Sequence, residues 1–183
     1  MLLRKKTKGY IHIPNGIVDI TDPCYDKDTR CRINNIKVKL GTYRCRYWMG
    51  AELEEKDIEE TKSLAKEFNR DEEEMLEMER RDIQGRCFVI EIQLKGRAFQ
   101  LNSPQWEEIG RIGVDAGLAG FFWNKPDFTD EKWSAFCDSL DFDKSVWLRE
   151  EMGFFCSSGY GDGYYSVYAI KEKGEIIALK ICF

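Results

Sequence analysis

Three aspartates stand beside expected strand ends, each at a proline or glycine punctuation point: Asp22 in Thr21-Asp22-Pro23, Asp115 in Val114-Asp115-Ala116-Gly117, and Asp162 in Gly161-Asp162-Gly163. Carboxylates gathered from three strand ends can hold a hard divalent cation or polarise a water, which defines a metal-assisted hydrolase reading. The spacing is not that of an EF-hand, because Asp22, Asp26 and Asp28 lack the required glycine and the downstream glutamate. The same residue types also do a plainer job: aspartate bonds its own backbone in turns, and glycine takes positive φ. No metal or other cofactor is predicted. His12 is the lone histidine. A catalytic triad would need Cys24 or a serine such as Ser157 brought to it in space, with an acid behind it. Alternating with Tyr10, His12 reads as a strand residue with a structural or surface role.

A second group is basic and aromatic. Arg44, Arg46 or Arg111 could hold phosphate while aromatic side chains stack a base. Two glycine-rich segments, 110–120 and 157–165, would add Asp115, Gly117, Tyr160, Asp162 and Tyr164 to such a pocket. Neither segment is a phosphate loop of the G-x-x-x-x-G-K-[ST] type, and neither opens a convincing helix, so the dinucleotide-binding pattern fails on context. Each reads instead as a connection between strands.

The third group is a charge asymmetry. The net charge is −5 over 183 residues, but 52–82 hold fourteen acidic and six basic residues, while 1–50 hold eleven basic and four acidic ones. A basic N-terminal portion suits an anionic ligand, and the acidic segment suits a basic protein partner. Nucleic acid is disfavoured as a partner, because the basic residues are spread over strands and turns.

The elements that must carry these residues are mostly strands. Gly9–Ile13 and Gly16–Ile20 flank Pro14-Asn15-Gly16, a tight hairpin signal. Ile36–Leu40, Thr42–Met49, Arg86–Leu94, Ala98–Leu101, Ile112–Val114, Leu118–Trp123, Phe154–Ser157, Tyr164–Ile170 and Glu175–Phe183 also read as strands, with Lys173-Gly174 turning the last pair. Residues 26–35 read as loop. Residues 51–83 read as two acidic amphipathic helices, with Leu53, Ile58, Ala65, Phe68, Met75 and Ile83 on a thin stripe against the sheet and Asp71 capping the second. Thr129 or Asp130 caps a helix through about Leu140, and Lys144–Glu151 reads as another short one. The expectation is a single α+β domain, mainly antiparallel β, as a curved sheet, sandwich or partly closed barrel, with 51–83 inserted.

No apolar run is long enough to span a membrane, and the start lacks the apolar core of a secretory signal. Seven scattered cysteines without a Cys-x-x-Cys pair argue for free thiols and a reducing, cytoplasmic setting.

Ser158-Gly159-Tyr160-Gly161-Asp162-Gly163-Tyr164-Tyr165, then Gly174-Glu175-Ile176-Ile177 and Ile181-Cys182-Phe183, resembles the end of an uncharacterised bacterial family, domain of unknown function 4241. Val114-Asp115-Ala116-Gly117, Asp22-Pro23 and Leu40-Gly41-Thr42-Tyr43 are similar to its earlier segments. The chain departs from that pattern at Ser166, where proline is frequent, and at Cys182, where aspartate is frequent. The resemblance spans 9–50 and 109–183 and omits the acidic helices. It implies a shared fold and, through related proteins of phage and mobile elements, an immunity or counter-defence setting.

The leading expectation is a non-enzymatic binding module for a small anionic, nucleotide-like ligand. The alternatives are a protein-binding module using the acidic helices, and the hydrolase built on Asp22, Asp115 and Asp162.

Overall fold

The computed structural model describes residues 2–183. Eleven strands form two antiparallel sheets. The first, of six strands, runs β1 (Leu2–Ile13), β4 (Gly41–Glu52), β5 (Cys87–Leu94), β11 (Glu175–Cys182), β10 (Gly163–Glu172), β6 (Glu107–Val114). The second, of five, runs β3 (Ile33–Lys37), β2 (Ile17–Thr21), β7 (Leu118–Phe122), β9 (Gly153–Ser157), β8 (Val146–Arg149). The sheets face each other and do not close into a barrel. Alternation decides what each strand buries. Tyr43 and Cys45 of β4, Ile90 and Ile92 of β5, and Leu179 and Ile181 of β11 meet Val18, Ile20, Phe121 and Phe154 of the second sheet in one core. The fold is therefore α+β and mainly antiparallel β, in sandwich form.

Helices α1 (Glu55–Glu67) and α2 (Glu72–Gly85) interrupt the connection between β4 and β5, which pair directly. Asp71 caps α2 by accepting from Glu74 N at 2.8 Å. Ala65, Leu76 and Ile83 are buried, and Ile83 packs so closely on Gly50 of β4 that a Cβ there would sit 2.3 Å from its Cγ2. Phe68, expected on the buried stripe, is 65% exposed. Helix α3 (Asp130–Asp138) begins at Thr129, whose side chain accepts from Lys132 N. It covers the outer face of the second sheet, where Phe136 meets Phe155.

Several local expectations change. Pro14-Asn15-Gly16 does not close a hairpin: β1 and β2 lie in different sheets, and the turn carries the chain across the sandwich so that both strands face the core. The expected helix at Lys144–Glu151 contains strand β8, where Val146 and Trp147 are buried and the strand pairs β9 at the sheet edge. Ile33–Lys37 forms a strand that reaches into the polar stretch read as loop. Ala98–Leu101 forms no strand. It belongs to a strap, residues 95–106, that crosses the outer face of the first sheet.

Candidate functional site

Three places draw on the residues singled out above: the sandwich end where the glycine loops cross, the outer face under the strap, and the helical hairpin.

At the sandwich end, the β6–β7 turn crosses from the first sheet to the second, and residues 158–162 cross back from β9 to β10. The two crossings touch, with Ser158 N donating to Gly117 O at 2.9 Å. Asp22 is fully buried beside them. One carboxylate oxygen accepts from Cys24 N (2.9 Å), and the other accepts from Asp115 N (2.8 Å) and Ala116 N (2.7 Å). The loops converge, as the three-aspartate reading requires, but the Asp22 carboxylate serves three backbone donors. It is a clamp on the β6–β7 turn. Asp115 and Asp162 are exposed. Among the described residues, no group of three His, Cys, Asp or Glu is placed to hold a metal.

Burial first, then the Asp22 and Asp115 carboxylates, push the Cys24 thiol well up, so it stays protonated at neutral pH and is a poor nucleophile. His12 sits exposed on β1, in the other sheet from the strand that precedes Cys24. Burial and the same carboxylates push Tyr25 up to about 12. Tyr164 stands exposed, its hydroxyl 3.9 Å from Cys31 Sγ.

The three arginines do not converge. Arg44 and Arg46 lie on β4, and Arg111 lies on β6 at the far edge of the same sheet, with three strands between. That separation is roughly 19 Å at ordinary strand spacing. Arg111 pairs with exposed Glu108 at 3.3 Å. Arg46 is 4% exposed, and its Nε (2.8 Å) and Nη2 (2.5 Å) both bond Glu91 Oε1. Cross-strand register sets Arg46, Glu91, Lys180 and Tyr168 in one row. The strap seals that row. Phe99 O accepts from Arg46 and from Gln93 Nε2, and Leu101 O accepts from Lys180 Nζ at 2.7 Å. The Lys180 ammonium also lies 4.5 Å from the Trp106 ring and 4.8 Å from the Tyr168 ring. Burial outweighs Arg46 and lifts the Glu91 carboxyl above its ordinary range. Glu91 Oε2 is buried without a hydrogen-bond partner. The expected anion pocket of Arg44, Arg46 and Arg111 is thus not assembled, because pairing across the sheet commits Arg46 to a carboxylate that sequence spacing does not reveal.

A cleft of about 450 Å³ beside β2 and β3 is mostly satisfied from within. Asp19 accepts from Asn35 N and pairs with buried Arg32, and Asn34 bonds Arg32 and Lys27 O.

The hairpin differs. A groove of about 250 Å³ between α1 and α2 is lined by Thr61, Leu64, Met75, Met78, Glu79 and Asp82. Sharing Thr61, Leu64 and Glu79, it runs into a second hollow of about 220 Å³ that reaches Glu60, Ile83, Arg86, Phe88 and Tyr160. Leu64 is 46% exposed, Met78 57% and Tyr160 63%. Tyr160 comes from the glycine-rich loop. Positive φ at Gly161 and bonds from Ser158 Oγ and Tyr165 Oη to Gly161 O shape that turn. Gly159 packs against Cys87 O with no room for a Cβ, which presents Tyr160 edge-on to Phe88. Sequence reasoning missed Leu64, Met78, Glu60, Glu79 and Asp82. Their signal was apolar residues on the polar face of an acidic amphipathic pair.

No family model, no curated protein and no solved structure matches this chain.

Proposed function

We propose that the protein is a non-enzymatic binding module that seats a cationic amphipathic segment of a protein partner in the α1–α2 groove. The observation that carries this is the apolar floor of exposed Leu64 and Met78 with half-buried Met75, within a carboxylate rim of Glu60, Glu79 and Asp82. Apolar side chains gain about 1.5–3 kcal/mol each on full burial, so an open floor is an unsatisfied surface. Methionine adapts its shape to an incoming side chain. The two helices have 13 and 14 residues. At that length each spans roughly 20 Å, room for about four turns of a partner helix. The local acidic excess would speed encounter with a basic partner and make it salt-sensitive. Such capture of a cationic partner suits the immunity or counter-defence setting that the motif resemblance implies, and free thiols at all seven cysteines suit a cytoplasmic one.

The test is fluorescence anisotropy with a labelled leucine–lysine peptide patterned as an amphipathic helix, beside a scrambled peptide of equal composition. The patterned peptide should bind more tightly. The pair Leu64→Ala with Met78→Ala should weaken it about tenfold, the loss expected from about 1.4 kcal/mol of apolar contact. Equal binding of the scrambled peptide, or no loss in the double variant, overturns the reading.

A further inference from the structure

The basic N-terminal strand has its own cleft, of about 270 Å³, which borders the last residues of α2, Gln84 and Gly85, but shares no lining residue with the hairpin groove. Lys6 and Lys8 of β1 and Lys144 before β8 line it, over a floor of Tyr47, Met49 and Val146. The fold brings these distant residues together for identifiable reasons. A bulge in β1 between Thr7 and Gly9 leaves Lys8 as the extra residue, unpaired with β4. Gly9 then lets β1 approach β8 so closely that a Cβ would meet Leu148 at 2.9 Å. Ser145 Oγ bonds Gly85 O at the end of α2, which fixes the turn carrying Lys144.

Lys6 and Lys8 in this cleft are not spent as Arg46 is. Lys144 pairs with exposed Asp141 at 2.6 Å, and Asp143 also lines the cleft. Lys6 and Lys8 form no ion pair with a carboxylate among the described residues. Partial burial, then the neighbouring Lys144 ammonium, holds Lys8 below the ordinary lysine range. Two ammonium groups repelling each other across a cleft are relieved by an anion that touches both.

We propose that this cleft binds the phosphate group of a small phosphorylated ligand, with Lys6 and Lys8 as its main cationic contacts and Lys144 closing the far side. A bare phosphate would leave much of the volume open. The Tyr47, Met49 and Val146 floor offers apolar contact to whatever the phosphate is attached to. The proposal is independent of the hairpin reading, and its probes do not use the groove.

The experiment is calorimetric titration of the full chain with inorganic phosphate and, separately, with a mononucleotide, at matched ionic strength with chloride as control. Binding by both, tighter for the mononucleotide, supports an attached organic group. Binding by phosphate alone supports the free ion as ligand. Lys6→Gln with Lys8→Gln should weaken either about tenfold or more, and since both side chains are exposed the variant keeps its fold. Phosphate should also raise the Lys8 pKa followed by NMR. No heat with either ligand, an unchanged affinity in the double variant, or a Lys8 titration indifferent to phosphate would overturn the proposal.

Discussion

The strap-covered face and the helical hairpin both combine charge with apolar side chains, yet they use them in opposite ways. Under the strap, Arg46, Gln93 and Lys180 are each answered by a partner within the chain, and their exposure falls to a few per cent. On the hairpin, Glu79 and Met78 face an open groove. Rich chemistry in a sequence thus marks two different things. Under the strap it is absorbed into the structure, whereas on the hairpin Glu79 and the apolar groove stay open, even though Glu60 pairs with Lys56 and Asp82 with Arg86.

The contrast can be broken most forcefully at Glu91. Glu91→Ala leaves Arg46 buried without its counter-charge and should cost about 4 kcal/mol. Urea unfolding measures this, and a loss under about 1 kcal/mol would show that the row is not a sealed ion pair. Asp22→Ala strips three backbone donors of their acceptor and should cost about 3 kcal/mol in the same assay.

The pH profile sharpens the comparison further. The folded state binds the Glu91 proton more tightly than the unfolded chain, whose carboxyl titrates near its ordinary 4.5. Its contribution to stability is therefore complete below that value and is lost as pH rises through the raised folded pKa. Thermal melts from about pH 4 to about pH 8 should show that component, and Glu91→Gln should remove it. The smallest effect belongs to the hairpin. Glu79→Gln and Met78→Ala should each change stability by less than about 0.5 kcal/mol. A larger loss would mean that those groups support the fold instead of a partner.

Much of the architecture was legible because periodicity is local. The alternation in Ile90-Glu91-Ile92, the Lys173-Gly174 turn with positive φ at both residues, and the Asp71 and Thr129 caps all depend on neighbours a few residues away. The functional groups were harder to read. Arg46 looked free because Glu91 lies 45 positions away in sequence. Asp22 resembled a ligand because its donors lie 93 and 94 positions on. The Asn15-Gly16 turn was legible as a turn, but which sheet each flanking strand joins depends on the whole core.

By itself the amino-acid sequence determined the strand-rich class, the acidic helical pair, the turns that glycine and aspartate permit, and the absence, among the described helices, of one long and apolar enough to cross a membrane. Tertiary structure alone decided which charges are paired and which stand open. That division follows from range. Backbone preference and side-chain alternation act between near neighbours, whereas the partner of a charge is chosen by strand register, sheet crossing and burial across the whole fold.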